Sequence, residues 1–221
     1  MPIDYAEVKR LAWEENTRHI DLHTPSTLLK VRNWAMLRGI GLDDLLSDIE
    51  CSKYFKLAFV KDPNRQNIYE KAAFEFLCGI ALLKNVVKLP SSGERALFVS
   101  NGILTPGENV PRTRREERKS KSIDFKFIVK PCGRRKVDLI CYAMHKYTEA
   151  EGGAQDNQCA DLQLFLENCP IKRQECFIVF ADGDYYISRV AEMIEMFDIP
   201  TKRRVLTLNE FESRVLNGEV I

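Results

Sequence analysis

The residues that could do chemistry lie between positions 122 and 166. Asp124 sits in a stretch of alternating apolar and polar residues, and Lys146 sits in the next such stretch. A Gly-Gly-Ala-Gln segment, residues 152–155, follows Lys146. A carboxylate and a lysine on neighbouring strands can hold a divalent metal and a water beside a phosphate. This arrangement predicts hydrolysis of a phosphodiester bond.

The elements around these residues follow from the spacing of apolar side chains. In the strand predicted at 123–130, Phe125 and Phe127 share one face and Asp124 lies on the other, because side chains alternate along a strand. A Pro-Cys-Gly turn then predicts an antiparallel partner strand over 137–146. A crossover helix is predicted at 155–168. The continuous apolar run 176–181 is typical of a strand buried on both faces.

The chain before this segment is predicted to be mainly helical up to residue 84. Thr24 is a plausible N-cap with Pro25 at the first helical position, and Gly39 is a plausible stop. The strongest helical spacing covers 67–83. Short strands are predicted at 86–89 and 96–99, and a polar connection with a basic run at 100–121.

The chain after the buried run is predicted to add one helix, one short strand and a last helix. The spacing predicts a helix from about 187 to 197 and a strand at 205–206. Thr207 and Glu210 form a capping-box pattern at the start of the last helix. His145 falls on the strand face opposite Lys146, which favours packing, and Asp182-Gly183 after the buried strand favours a turn.

This order predicts an α/β fold with a mixed central sheet flanked by helices on both faces. We expect a single domain over 1–221, because no Pro/Gly/Ser-rich linker divides the chain. Within it, residues 1–64 would form a helical part, 65–208 the core and 209–221 a C-terminal helix.

Composition limits the classes of function. The chain has 221 residues, of which 45% are hydrophobic and 29% charged, with 33 basic and 32 acidic side chains. A net charge of +1 gives no global attraction to nucleic acid, so binding would depend on local patches. No apolar run reaches the roughly 20 residues of a membrane span. Seven scattered cysteines and no signal-peptide pattern predict a reducing cytoplasm.

At Asp124 and Lys146 the chain resembles the PD-(D/E)xK nucleases, and type II restriction endonucleases in particular. In that family a helix, three meandering strands, a helix and a strand form the core, which implies a restriction-endonuclease-like αβββαβ fold here. Asp124 matches the first acid, with Ile123 where the family has proline, and Lys146 matches the lysine. Met144 stands where the family usually has Glu or Asp.

Another acid would have to replace the one missing at Met144. Asp138 lies eight residues before Lys146, about 27 Å along an extended strand, and is too far away. Asp161, about two turns into the crossover helix, is the preferred substitute, because some members of the family take the second acid from this helix. Glu149 and Glu151, in the loop after Lys146, are the alternatives.

The resemblance also implies the rest of the site and its partners. A Glu on the helix before the sheet often completes the family's site, and Glu70 fits that place, with Glu75 as an alternative. Asp124 and the second acid would bind Mg²⁺ through oxygen ligands, and Lys146 would stabilise the developing charge. The implied activity is sequence-specific cleavage of double-stranded DNA by a homodimer, paired genetically with a DNA methyltransferase.

Contacts to the DNA backbone are predicted before Asp124 and after Lys146 in the sequence. The run 112–121 carries six cations and two anions directly before Asp124, which suits phosphate contact, although many charge runs are simply solvated. Gly153 would let a loop approach the backbone closely, and Gln155 would face the site or cap its helix. The predicted DNA-binding residues are Arg114, Arg115, Arg118, Lys119, Lys121, Gly153 and Gln155.

Two other classes of function remain open. One is a catalytically inactive DNA-binding protein on the same fold, with its activity lost together with the acid at position 144. The other is a protein-interaction module whose charge runs are only solvated.

Overall fold

The computed structural model describes residues 2–63, 67–109, 120–149, 155–170, 172, 174–189, 191–193 and 205–219. The chain forms two compact units, one of residues 4–69 and the other mainly of the residues from Glu70 onward. Within the described part of the chain, no helix is both long enough and apolar enough to cross a membrane.

The first unit is helical, as its spacing predicts. Asp4 caps the first helix by accepting a hydrogen bond from the Glu7 N–H at 2.9 Å. The second helix begins at Pro25 and is stopped by Gly39, whose φ of +65° suits glycine, so both predicted ends are confirmed. The helices are α1 (Tyr5–Arg18), α2 (Pro25–Arg38), α3 (Leu42–Cys51) and α4 (Lys53–Leu57). Their core comprises Leu22, Val31, Ala35, Leu45, Ile49 and Phe59.

Helix α5 (Ile68–Gly79) is shorter than the helix predicted over 67–83. After Gly79 the chain turns, and the Leu83 N–H donates to the Ile80 carbonyl at 2.9 Å. Ile80 and Leu83 are still buried in the same core as the helix. The apolar spacing therefore continues beyond the helix, because the turn and the first strand also face the core.

A five-stranded mixed sheet forms the centre of the second unit. The strands in the described residues are β1 (Leu83–Lys88), β2 (Leu97–Ser100), β3 (Ile103–Pro106), β4 (Ser120–Ser122), β5 (Phe125–Val129), β6 (Leu139–Tyr147), β7 (Glu175–Asp182) and β8 (Val205–Leu206). The central sheet has the order β1-β5-β6-β7-β8. Its first three strands are antiparallel, and β7 and β8 add in parallel. The predicted mixed sheet is confirmed.

Helices cover both faces of the central sheet, as expected. On one face Phe127 and Phe180 pack against α5 and against α8 (Leu208–Leu216). On the other face Tyr142 and Met144 pack with side chains of α6 (Gln155–Glu167). The predicted capping box is present at the start of α8, where Glu210 and Thr207 bond each other reciprocally.

The segment predicted as a polar connection, 100–121, contains a β-hairpin that we did not predict. Strands β2 and β3 form a hairpin whose turn is Asn101-Gly102, with φ of +50° and +74°. Asn-Gly is the commonest two-residue hairpin turn, so the signal was present in the sequence. A short 3₁₀ turn follows at Gly107–Asn109, and β4 completes a three-stranded sheet of order β3-β2-β4.

The helix predicted from about 187 to 197 is helical at 191–193. A separate short helix, α7 (Asp184–Ile187), precedes it, and a turn at 188–189 follows α7. Gly183, with φ +97°, provides the sharp bend between β7 and α7. Residues 190 and 194–200 lie outside the described part of the chain.

Candidate active site

Three charged residues of the candidate site come from the same end of the central sheet. Lys88 ends β1 and pairs with Phe125, which begins β5 and pairs with Ala143 of β6. Asp124 directly precedes β5, and Lys146 lies near the end of β6. Because β5 and β6 run antiparallel, the start of one strand lies beside the end of the other.

Hydrogen bonds on both sides hold Asp124 in place. Its backbone N–H donates to the Ala143 carbonyl at 2.9 Å, and its carbonyl accepts from the Leu89 N–H at 2.8 Å. The carboxylate Oδ2 accepts a hydrogen bond from the backbone N–H of His145 at 2.8 Å. The position of Asp124 is therefore set by the backbone of both neighbouring strands, and not by a flexible loop.

The environment of Asp124 is unfavourable for its negative charge. Burial of the carboxyl group raises its pKa to about 6, and the backbone N–H of His145 opposes that rise. The negative charge of Glu70 raises the pKa further, and the charge of Lys146 lowers it. Shifts of this kind are concentrated at functional sites, although structural networks also produce them. The charges of Glu70 and Lys146 thus both act on the Asp124 carboxylate.

Glu70 lies in the first turn of α5 and forms an ion pair with Lys88, with Oε1 and Nζ 3.0 Å apart. Both side chains are partly buried. The alternative acid, Glu75, pairs instead with Lys71 at 3.8 Å on an exposed part of the helix. Since only Glu70 acts on Asp124 through its charge, Glu70 is the better candidate of the two.

The position of the missing acid is occupied by a core residue. Met144 is 3% exposed and packs among the side chains under α6, so no carboxylate could replace it without losing this packing. Lys146, two residues later, is partly buried. The segment 144–146 therefore offers a lysine and no carboxylate.

The three substitutes proposed for this acid remain predictions. Asp161 forms an ion pair with Lys121, a residue predicted to contact DNA. Glu149 is exposed, two residues after the end of β6, and Glu151 lies outside the described residues. Asp138, rejected on distance, pairs with Lys84 at 2.6 Å.

The described side chains include possible ligands for a metal ion. Among these residues, no three His, Cys, Asp or Glu side chains are grouped so that they could hold a metal ion. Two carboxylates, those of Asp124 and Glu70, do interact through their charges. Hard oxygen ligands of this kind suit Mg²⁺, and a cation between them would relieve their repulsion. The described residues thus offer carboxylate oxygens of the type that Mg²⁺ takes, without a complete ligand group.

Most of the predicted DNA contacts lie outside the described residues. Gln155 is the first residue of α6, but its side chain is outside the described part of the structure, whereas Lys121 is described and lies in β4. The predicted residues that lie outside the described part altogether are Arg114, Arg115, Arg118, Lys119 and Gly153.

A buried pair beside the candidate site was not predicted from the sequence. The His145 side chain is 2% exposed, as its predicted packing role requires, and its Nε2 lies 3.3 Å from Asp182 Oδ2. Asp182 Oδ1 accepts a hydrogen bond from the Leu208 N–H at 3.1 Å, at the start of α8. His145 thus contacts Asp124 through its backbone and Asp182 through its ring.

Comparison with known proteins identifies no relative. No protein-family model matches the sequence, and no curated protein or solved structure is significantly similar to it. The functional interpretation therefore rests on the site itself.

Proposed function

We propose that this chain is a Mg²⁺-dependent, sequence-specific endonuclease that hydrolyses phosphodiester bonds in double-stranded DNA, of the type II restriction class. The observation that carries the proposal is the Asp124 carboxylate, which is held by the His145 N–H and interacts with the charges of Glu70 and Lys146. Two acids and a lysine of this kind suit metal-assisted attack on a phosphate. We also propose that the enzyme acts as a homodimer and is located in the cytoplasm.

The order of elements supports this interpretation. Helix α5 is followed in the central sheet by antiparallel β1, β5 and β6, then by α6 and parallel β7. This is the helix, three strands, helix and strand expected of a restriction-endonuclease-like core. The small sheet of β2, β3 and β4 is inserted between β1 and β5.

Each residue of the site has a separate role in the proposed reaction. Asp124 and Glu70 would hold the metal, and the His145 N–H keeps the Asp124 carboxylate oriented while doing so. When bound, Mg²⁺ supplies a water of lowered pKa and polarises the scissile phosphate. The Lys146 ammonium group would donate to the phosphate oxygen on which charge develops.

Incubation of the purified protein with phage and plasmid DNA, with Mg²⁺ or with EDTA, tests the proposal on a gel. We expect discrete bands that require Mg²⁺ and that disappear in Asp124→Asn, while this variant still binds DNA. Intact DNA from several substrates, methylated and unmethylated, would contradict the proposal of catalysis.

A second candidate is a catalytically inactive DNA-binding protein on the same fold. It is favoured by the buried Met144 at the position of the second acid and by the ion pair that engages Asp161. Salt-dependent DNA binding without Mg²⁺-dependent cleavage would support this candidate.

The identity of the second acid can be tested once cleavage is observed. If Asp161 leaves Lys121 to bind the metal, Asp161→Asn will lose cleavage even when the DNA concentration saturates binding. Lys121→Gln, which weakens only DNA binding, will recover cleavage as the DNA concentration is raised. An active Asp161→Asn variant together with an inactive Glu149→Gln variant would assign the role to Glu149.

A further inference from the structure

A surface groove borders the candidate site on the side of strand β1. It has a volume of about 460 Å³ and is open to solvent. Of the lining side chains in the described part of the chain, three are apolar, two are cationic and none is acidic. These lining residues are Val87, Lys88, Leu89, Pro90 and Arg95.

Two contacts connect this groove directly with the candidate site. The Leu89 N–H donates to the backbone carbonyl of Asp124 at 2.8 Å. The Lys88 ammonium group lies 3.0 Å from Glu70 Oε1. A group bound in the groove would therefore lie beside the two acids proposed to hold the metal.

The lining chemistry matches one strand of a nucleic acid. A DNA backbone alternates anionic phosphates with less polar deoxyribose rings, and most protein contacts to DNA are made to phosphate and sugar. Lys88 and Arg95 provide the charge for a phosphate, and the Val87, Leu89 and Pro90 side chains provide apolar surface for a sugar. A small-molecule pocket of this volume would instead enclose its ligand and present several convergent polar groups.

Of the two cations, only Lys88 has an acidic partner in the described part of the chain. Lys88 is engaged by Glu70, whereas Arg95 is exposed and forms no ion pair with any described residue. Arg95 can therefore bind an anion without breaking an ion pair in the described part of the chain, whereas Lys88 must first break its ion pair with Glu70.

We propose that the groove binds a phosphate of one DNA strand between Lys88 and Arg95, and that Lys88 exchanges Glu70 for this phosphate. This inference rests on the proposed function and extends it, because it assigns a substrate subsite and a coupling between two sites. In the free protein Lys88 neutralises Glu70. When DNA takes Lys88, the Glu70 carboxylate becomes available to a metal ion, so DNA binding strengthens metal binding.

The first test measures DNA binding in EDTA, where no cleavage interferes. Fluorescence anisotropy with a labelled 20-bp duplex is recorded between 50 and 300 mM NaCl. Each phosphate that a side chain no longer neutralises reduces the slope of log K against log salt by about 0.9. We expect Lys88→Gln and Arg95→Gln each to weaken binding about three- to tenfold and to reduce the slope by about 1.

Lys84→Gln is the matched control for these two variants. Lys84 lies on the same strand and also pairs with a carboxylate, that of Asp138, but it does not line the groove. Its slope should equal that of the unsubstituted chain. Unchanged slopes in Lys88→Gln and Arg95→Gln, with cleavage and DNA binding otherwise intact, would overturn this inference alone. Failure of the unsubstituted chain to bind any duplex would overturn both proposals.

Competition distinguishes a DNA strand from a free nucleotide. We expect dAMP and inorganic phosphate to displace the labelled duplex only at high millimolar concentrations, because a single phosphate makes few of the contacts. Displacement by micromolar dAMP would show a nucleotide pocket and would overturn the assignment.

The second test measures the exchange of Lys88 through the affinity for Mn²⁺ alone. Calorimetry without DNA should show that Lys88→Gln binds Mn²⁺ more tightly than the unsubstituted chain, because Glu70 is free. A duplex with non-cleavable linkages should tighten Mn²⁺ binding to the unsubstituted chain and have less effect in Lys88→Gln, since coupling between sites is reciprocal. If the unsubstituted chain and Lys88→Gln bind Mn²⁺ with equal affinity, both with and without the duplex, the proposed exchange of Lys88 is overturned.

Discussion

Two aspartates at the same end of the central sheet have opposite surroundings. Asp182 is buried at the end of β7, and both of its carboxylate oxygens face a nitrogen: Nε2 of His145 and the N–H of Leu208. Asp124 is partly buried next to β5, where one N–H binds its carboxylate and Glu70 contributes a second negative charge. The same residue, His145, contacts both aspartates.

This difference separates a structural carboxylate from one suited to binding. Asp182 connects β6, β7 and α8, and its charge faces the imidazole ring and the start of a helix, where anions are stabilised. For Asp124 the His145 N–H and the Lys146 charge do not offset burial and the like charge of Glu70, so its ionised form destabilises the folded protein. A bound cation would supply the compensation, which is the arrangement expected of a metal ligand.

The largest expected effect is on catalysis. Asp124→Asn should lower the rate of Mg²⁺-dependent DNA cleavage at least a thousandfold, about 4 kcal/mol in transition-state free energy, because a ligand charge is lost. Rates of plasmid cleavage measured under single-turnover conditions check this. The surface variant Asp138→Asn is the control and should cleave normally; a normal rate in Asp124→Asn would remove this residue from the site.

Asp182→Ala should instead affect the stability of the fold. It leaves the buried His145 ring and the Leu208 N–H without their carboxylate, and breaking a buried pair in this way costs about 3 kcal/mol or more. Urea unfolding at pH 7 measures the loss. A decrease of less than about 1 kcal/mol in the free energy of unfolding would show that Asp182 does not stabilise the fold.

Asp124→Asn should stabilise the free protein above pH 6. The folded-state pKa of Asp124 is raised from 3.8 to about 6, so ionisation in the folded state costs up to about 3 kcal/mol. This cost is absent below the unfolded-state pKa of 3.8, grows as pH rises from there to about 6, and is constant above about 6. Asn retains an oxygen that can accept from the His145 N–H.

Thermal unfolding of the Asp124→Asn variant and the unsubstituted chain at pH 4.5 and pH 8 measures this effect. The variant should gain in Tm at pH 8, and its advantage should shrink at pH 4.5. Asp138→Asn, at an exposed pair, should change stability by less than about 1 kcal/mol at either pH. A variant less stable than the unsubstituted chain at pH 8 would indicate that Asp124 is structural, like Asp182.

The smallest expected effect is a shift in the pKa of Asp124 when Glu70 is substituted. Glu70→Gln should lower the pKa of Asp124, because it removes the negative charge that raises it. A ¹³C NMR titration of the aspartate carboxyl groups measures the shift. Glu75→Gln, on the exposed part of the same helix, should leave this pKa unchanged, and equal titrations in both variants would exclude Glu70 from the site.

The sequence predicts features that depend on residues close together along the chain. The ends of α2, the capping box before α8 and the buried strand β7 were all predicted, because caps and strand burial follow from local residue types. The extent of α5 was overestimated for a related reason: apolar spacing reports which residues face the core and does not report where a helix stops.

The candidate site could be predicted only in part. Asp124 and Lys146 were identified from their places on adjacent strands, and Glu70 from the helix before the sheet. The ion pairs Lys88–Glu70, Lys121–Asp161 and His145–Asp182 were not predicted. Lys88 ends a strand as an ordinary exposed lysine would, and nothing in its neighbouring residues marks it as a partner of Glu70.

The sequence by itself thus determined the kinds of element, many of their ends and the strands that carry an acid and a lysine. The tertiary structure decided which charges meet, because strand register and helix packing bring together residues 18 to 40 positions apart, such as Glu70 with Lys88 and Lys121 with Asp161. It also decided the difference between Asp124 and Asp182. Asp124 directly precedes one buried strand and Asp182 ends another, but the groups that surround each carboxylate come from other strands and helices.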